Sequence, residues 1–374
     1  MSGMLEGLRI VEVEGLGPGP FAAMWLADQG AEVTCIQRPG GAAVPGVPER
    51  SILNRGKKTI ALDLKADADM AVIRGLIASA DGLIEGFRPG VMERLGLGPD
   101  AAQALNPRLV YGRMTGWGQQ GPRADRAGHD LNYIALSGAL WYAGLPGQPP
   151  LTPATLVGDI GGGAMYLVAG MLAGLVRAGR TGQGTVVDAA IVDGSAHMLA
   201  LLMSMAPGGQ LAEARGQSLL DGPHWSRSYA CAEGGFVSVQ CLEAKFYAAF
   251  LSVLGLSDEP DFARQYDPES WPRATERLTT LFAAQPREHW AARFAGTDAC
   301  VAPVLSPWEA ARDPHMAARA SWREDDGALQ PAPAPRFVGH TPTPGPIPAR
   351  DAHRAEILAD LRDRGLLDPG AHRG

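Results

Sequence analysis

The chain has 374 residues, 46% hydrophobic and 20% charged, with 48 Gly, 30 Pro and four Cys. That apolar content suffices for a large core, and at roughly 150 residues per domain the length predicts about two domains. Thirty-three Lys and Arg against 40 Asp and Glu leave a net charge of −7, which argues against a nucleic-acid coat but not against a small phosphorylated ligand.

Cys35, Cys231, Cys241 and Cys300 are scattered, with no C-x-x-C pair, so neither a zinc knuckle nor a disulfide framework is expected. The opening MSGMLEGLRIVEV has no charged stretch followed by a long apolar run, and a cytoplasmic enzyme is the expectation. The apolar stretch 160–176 is short for a span and holds five glycines. It is expected to be a buried core helix.

In chain order, LRIVEV (8–13) reads as a strand, 20–31 as a helix, EVTCIQ (32–37) as a strand, 68–80 as a helix and GLIEGF (82–87) as a strand. RLVYGRM (108–114) and GTVVDAAI (184–191) are further strands, separated by helical patterns at 131–140 and 160–176. This alternation predicts an α/β fold with a doubly wound parallel sheet. A polar, Gly-rich stretch at 207–223 breaks the rhythm, and Glu233-Gly234-Gly235 marks a hairpin beyond it. Helical patterns at 245–254 and 273–284 and a strand at 300–305 then predict a smaller α+β domain. The Pro-rich runs 330–337 and 341–348 are expected to be extended, and a charged helix at 353–364 follows them.

The turn GLGPGP (15–20) follows the first strand and opens a helix. It lacks G-x-G-x-x-G spacing, and its prolines lack N–H groups for a pyrophosphate cradle, so it predicts a tight turn lining a ligand pocket rather than a dinucleotide site. Arg38, Arg55, Lys57, Lys58 and Arg88 fall near the ends of early strands, where open α/β sheets bind ligands and where basic groups suit phosphate. Solvated surface charge is the competing reading.

His129 starts a helical pattern with Asp130 as N-cap, and 30 positions later Asp159 opens the apolar helix in LVGDIGGG. Each could be only a cap or a hydrogen-bonded loop residue. Sharing a pocket, the two could act as paired proton carriers. A carboxyl ordinarily titrates near 3.9, so such a role requires burial or a neighbouring anion to raise Asp159. Glu243, after the second strand of the hairpin, reads either as a first-turn acid or as a group orienting His129.

These segments together (GLRIVEVEGLGPGP, RGKKTIALDLK, EGFRPGVMERLGLGP, RMTGWGQQGP, AGHDLNYIALSG, LVGDIGGGAMYLVAG, GQGTVVDAAIVDGS and GTDACVAPVL) resemble the family III CoA-transferase superfamily, and within it its racemase branch. The resemblance implies an interlocked homodimer with a Rossmann-like large domain at 1–200 to which 331–374 returns. It also implies linkers at 201–224 and 306–330, a small domain at 225–305, and active sites shared between subunits. Matched residue by residue, His129 and Asp159 are the acid/base pair and Glu243 a supporting acid. Arg38, Arg55 and Arg88 lie near the CoA nucleotide and Ala61, Leu62 and Asp63 beside adenine. N–H groups at the helix start near Asp130 face the enolate oxygen.

The implied reaction interconverts (2R)- and (2S)-2-methylacyl-CoA thioesters through an enolate. The implied partners are an acyl-CoA, which carries CoA as part of the substrate, and a second copy of the chain. Metal, redox cofactor, nucleic acid and membrane are absent from that list. The competing reading within the same superfamily is CoA transfer, with Asp159 attacking a thioester as nucleophile. Two departures bear on the acyl pocket: Thr155 stands where the racemase branch commonly has Asn, and DGPHWSRSY (221–229) departs from its usual segment. His224 and Trp225 could shape a different acyl site or simply pack in a core.

Overall fold

Residues 3–41, 50–325 and 327–368 are described by a computed structural model. The chain divides into two units. The first comprises Met1–Ala139, Thr152–Met198 and Ala320–Gly374, and the second Leu140–Leu151 and Leu199–Arg319.

In the first unit, β1 (Arg9–Val13), β2 (Glu32–Gln37), β3 (Lys58–Ala61), β4 (Gly82–Glu85), β5 (Val110–Thr115) and β6 (Thr185–Ala190) form one six-stranded sheet in the order 3-2-1-4-5-6. Every pairing in it is parallel. The connections carry α1 (Pro18–Asp28), α2 (Asp67–Ser79), α3 (Val91–Arg94), α4 (Pro99–Leu105), α5 (Asp130–Ser137), a π-helix (Leu156–Ala164) and α6 (Met165–Thr181). After β6 the chain enters α7 (Ile191–Met198).

Successive strand residues point to opposite faces. Ile10, Ile84 and Val110 pack with Ala22, Leu26, Leu167 and Met171 of α1 and α6. Val11, Leu83 and Tyr111 pack with Val72, Ile73 and Leu76 of α2. Both faces are therefore covered over the central strands, as a parallel sheet requires, while edge strand β6 leaves Val186 and Asp188 exposed. The strand KTIA of β3 was not anticipated: it is four residues long and begins on Lys58, too brief and too polar at its start for an alternation to register.

The apolar stretch expected at 160–176 is longer than its sequence suggested. Helix runs unbroken from Leu156 to Thr181, 26 residues that are long and apolar enough to cross a membrane by length and composition. Leu167, Val168, Met171 and Ala178 on one side of it are buried in the sheet's core, while Leu156 and Val176 are exposed. It is thus a core helix on one face only.

The second unit contains α8 (Ala200–Met203), the hairpin β7 (Ser226–Ala230) and β8 (Phe236–Gln240), α9 (Ala244–Leu254), α10 (Trp271–Ala283), α11 (Arg287–Phe294), β9 (Val301–Pro303), α12 (Pro307–Ala310) and α13 (Pro314–Ala318). The three strands are antiparallel in the order β7-β8-β9. Their core is rich in rings, with Phe250, Phe282, Tyr229 and Phe294 stacked in series.

The chain then completes the first unit with β10 (Trp322–Asp325), β11 (Ala328–Pro331) and α14 (Arg354–Asp363). β10 and β11 pair antiparallel, a pairing that, unlike the β7–β8 hairpin, the sequence did not announce. The returning segment clasps β3: the Asp351 carboxylate accepts the Ala61 N–H at 2.8 Å, and His353 Nδ1 accepts that of Thr59 at 3.1 Å.

Candidate active site

In a doubly wound sheet, ligands bind beyond the carboxyl ends of the strands, near the point where strand order reverses. Two cavities of the first unit lie there. One, of about 800 Å³, is lined by residues following β1, β2, β3 and β4, including Glu14, Arg38, Leu62, Asp63, Lys65 and Arg94. The other, of about 560 Å³, is lined by the whole GLGPGP turn and by residues following β4, β5 and β6. Val13, Gly15, Leu16 and Phe87 line both.

His129 and Asp159 both line the second cavity, with Arg88, Arg126, Trp117 and Tyr133. His129 holds the N-cap position of α5, and its N–H donates to Asn132 Oδ1 at 3.1 Å. Asp130, expected to be that cap, is instead the first helical residue. Its carboxylate serves the π-helix, accepting N–H groups of Thr155 and Asp159.

Asp159 sits inside the π-helix, where Ile160 N–H bonds to the Thr155 carbonyl five residues back at 3.0 Å. Such wide turns are rare and recur at functional sites. The carboxyl reaches toward the GLGPGP turn, for a Cβ added at Gly17 would lie 3.5 Å from Asp159 Oδ2.

Burial and then the nearby Asp130 carboxylate raise Asp159 to about 6, against the pull of His129. Both conditions the sequence set for raising this carboxyl, burial and a neighbouring anion, are therefore met. A carboxyl near 6 can take or give a proton close to neutrality, as an imidazole ordinarily does. Burial, with Asp159 adding to it and Arg88 opposing, likewise raises the Tyr133 hydroxyl. Tyr133 Oη donates to the Gly128 carbonyl, and its ring meets Trp117 edge-on at 4.7 Å.

The loop carrying Arg88 is held from below. Glu85, fully buried, accepts the Phe87 N–H at 2.7 Å through one oxygen and Arg113 Nε at 2.9 Å through the other. Arg38 is exposed at the first cavity; its N–H donates to Glu14 and its carbonyl accepts from Arg350. Leu62 and Asp63 line that cavity as well. Ala61 stands just before them, its N–H given to Asp351 and its carbonyl accepting from Arg354.

Arg55 requires a correction. It is 2% exposed and lines neither cavity. Its guanidinium is taken up by both oxygens of Asp28, at 3.0 and 2.5 Å, by Gln330 Oε1 and by the Pro331 carbonyl. It ties the returning chain to α1, a partnership 275 residues distant that no local pattern could reveal.

His224 and Trp225 are both fully buried in the second unit's core. Trp225 Nε1 donates to the Gln265 carbonyl, and His224 Nε2 lies 2.7 Å from Tyr247 Oη, with burial holding the imidazole down at about 4. The packed-core reading therefore holds for them. Glu243, also in the second unit, is exposed and occupies the N-cap position of α9. Sequence reasoning missed Lys65 and Arg94 at the first cavity and Trp117, Arg126 and Tyr133 at the second. Lys65, Arg94, Trp117 and Tyr133 lie inside the motifs RGKKTIALDLK, EGFRPGVMERLGLGP, RMTGWGQQGP and AGHDLNYIALSG, but nothing local to Arg126 singled it out. Among the described residues, no group of three or more His, Cys, Asp or Glu could hold a metal ion.

The family described as CoA-transferase family III matches residues 5–354. An α-methylacyl-CoA racemase of Mus musculus is 40% identical over 364 residues, covering 96% of this chain and 93% of that protein. An acetyl-CoA:oxalate CoA-transferase of Acetobacter aceti is 30% identical over 354 residues, 90% of each. Among solved structures, a CAIB/BAIF family protein from Brucella suis superposes with a TM-score of 0.80 at 26% identity, covering 96% of this chain and 100% of that one.

Proposed function

The chain belongs to CoA-transferase family III, and from that premise we propose that it is a racemase of 2-methylacyl-CoA thioesters. The observation that carries this reading is the pair lining one cavity: an imidazole, His129, and a carboxyl, Asp159, raised to about 6. In one direction the Asp159 carboxylate takes the α-proton, the C–H electron pair moves into the enolate, and protonated His129 delivers a proton to the opposite face. In the other, neutral His129 takes the proton and protonated Asp159 returns one. Because each group can serve as acid or base, neither isomer is privileged. The enolate oxygen would be met by N–H groups at the start of α5 near Asp130. CoA enters as part of the substrate, its nucleotide in the first cavity beside Arg38, Leu62 and Asp63, with Arg88 toward the phosphates.

The finer features belong to the same proposal. The strand order 3-2-1-4-5-6 supports a Rossmann-like reading of the first unit. Exposed Leu131, Leu136, Leu156 and Val176 on that unit are apolar surface that a second copy in a homodimer would cover, and Glu243 is assigned as the supporting acid. Cys35, Cys231, Cys241 and Cys300 are all free, in keeping with a reducing cytoplasm.

A nucleophilic carboxylate in a transferase must be ionised to attack. A carboxyl raised by burial beside a second acid suits proton exchange better. The test is a single-isomer 2-methylacyl-CoA incubated in heavy water. Deuterium at the α-carbon and loss of stereochemical purity, both abolished in His129→Ala and Asp159→Ala, are the expected results. Movement of CoA to a free acid that survives His129→Ala would establish transfer instead.

A further inference from the structure

An acid in the first turn of a helix ordinarily stabilises its own helix terminus. The Asp130 carboxylate, nine-tenths buried, is engaged with a different element. Its Oδ1 accepts the Asp159 N–H at 2.9 Å and its Oδ2 the Thr155 N–H at 3.2 Å. Both donors lie at the opening of the π-helix, Thr155 at its N-cap and Asp159 within its first turn. A Cβ at Gly158 would fall 2.4 Å from Asp130 Oδ1, so the missing side chain there lets the carboxylate reach past to the Asp159 amide. Thr155 takes a left-handed φ of 63°, which costs a β-branched residue energy and persists only where surrounding contacts fix it.

We propose that Asp130 is a positioning residue for proton transfer: by clasping the Thr155 and Asp159 N–H groups it fixes the start of the π-helix, and with it the direction in which the Asp159 carboxyl enters the cavity it shares with His129. The proposal rests on the racemase reading of that cavity and adds a residue to it.

The charge of Asp130 acts in the same sense as its geometry. It follows burial among the causes that raise Asp159, and His129 opposes it. The other titratable or charged groups lining the same cavity are the neutral Tyr133 on α5, Arg88 after β4 and Arg126 before α5. Glu85 at the end of β4 is paired with Arg113. On α7, packed along the π-helix, Asp193 and His197 are exposed. Removing the Asp130 charge leaves His129 and the arginines without that opponent, so Asp159 is expected to titrate at lower pH.

The experiment compares Asp130→Asn, Asp130→Ala and Gly158→Ala with the unaltered protein. One readout is the titration of the Asp159 carboxyl by ¹³C NMR of labelled aspartate, its signal assigned with Asp159→Asn. The other is kcat and KM for α-proton exchange. The expected result is a downward shift of the Asp159 titration in all folded variants, with kcat lowered by about 10- to 100-fold and KM nearly unchanged, because misaligned reacting groups are penalised steeply. An unshifted titration with kcat within about twofold would overturn the assignment, since a catalytic group displaced by even an ångström loses more than that. Gly158→Ala displaces the carboxylate without deleting it, and so decides the matter if the Asp130 variants do not fold. If the unaltered protein exchanges no α-proton, the racemase reading fails. The titration then still decides whether Asp130 governs Asp159.

Discussion

Gly194 on α7 lies so close to Gly162 in the π-helix that a Cβ on it would stand 1.9 Å from the Gly162 carbonyl oxygen. In the other direction, a Cβ on Gly162 would fall 2.3 Å from Ser195 Oγ. The π-helix that carries Asp159 is thus seated backbone to backbone on the helix following β6.

Gly194→Ala is therefore expected to push α7 from the π-helix and to cost about 3 kcal/mol, near the upper end for overpacking. Urea denaturation measures it. A loss below about 0.5 kcal/mol, typical of an unconstrained surface change, would show that the two helices can separate freely.

Thr155→Asn is expected to stabilise the fold by about 1 kcal/mol, since Asn tolerates left-handed backbone better than a β-branched residue. Thr155 has φ 63°, and the substitution keeps the N–H that Asp130 accepts. The midpoint of thermal unfolding reports the gain. An unchanged or lower midpoint would mean that the threonine side chain makes up the difference.

Asp159→Asn bears on stability as well as activity. The folded carboxyl is raised from 3.8 to about 6, so between those values the folded state holds more protons than the unfolded one. Wild-type stability therefore falls as pH rises through that window, and the full cost is present above it. The variant is expected to match wild type below pH 4 and to be more stable above pH 6. A difference independent of pH would contradict the burial of Asp159.

Arg55 and Arg38 are expected to separate cleanly. Arg55→Ala strands a buried Asp28 and should cost roughly 3–5 kcal/mol of stability, as broken buried pairs do. Arg38→Ala should leave stability within about 0.5 kcal/mol while raising KM for the CoA thioester about tenfold, equivalent to one charged hydrogen bond. Calorimetry alongside kinetics tests both, and the reverse assignment would follow if only Arg38→Ala unfolded early.

Local pattern settled much of this protein. Alternating runs such as EVTCIQ and the apolar helix before β6 are dictated by burial on a sheet with two covered faces, and that physics is written residue by residue. His129 and Asp159 were legible because their motifs are short and contiguous. What the chain's order could not express were distances between segments: the ion pair of Arg55 with Asp28 and its bond to Gln330, the reach of Asp130 to Asp159, and the clasp of Asp351 on Ala61. Position near a strand end and the family resemblance marked Arg55 as a ligand group, and position at a helix start marked Asp130 as a cap. Tertiary structure decided otherwise, because a buried polar atom takes whichever partner the folded backbone brings within 3 Å, however far away it lies in the sequence.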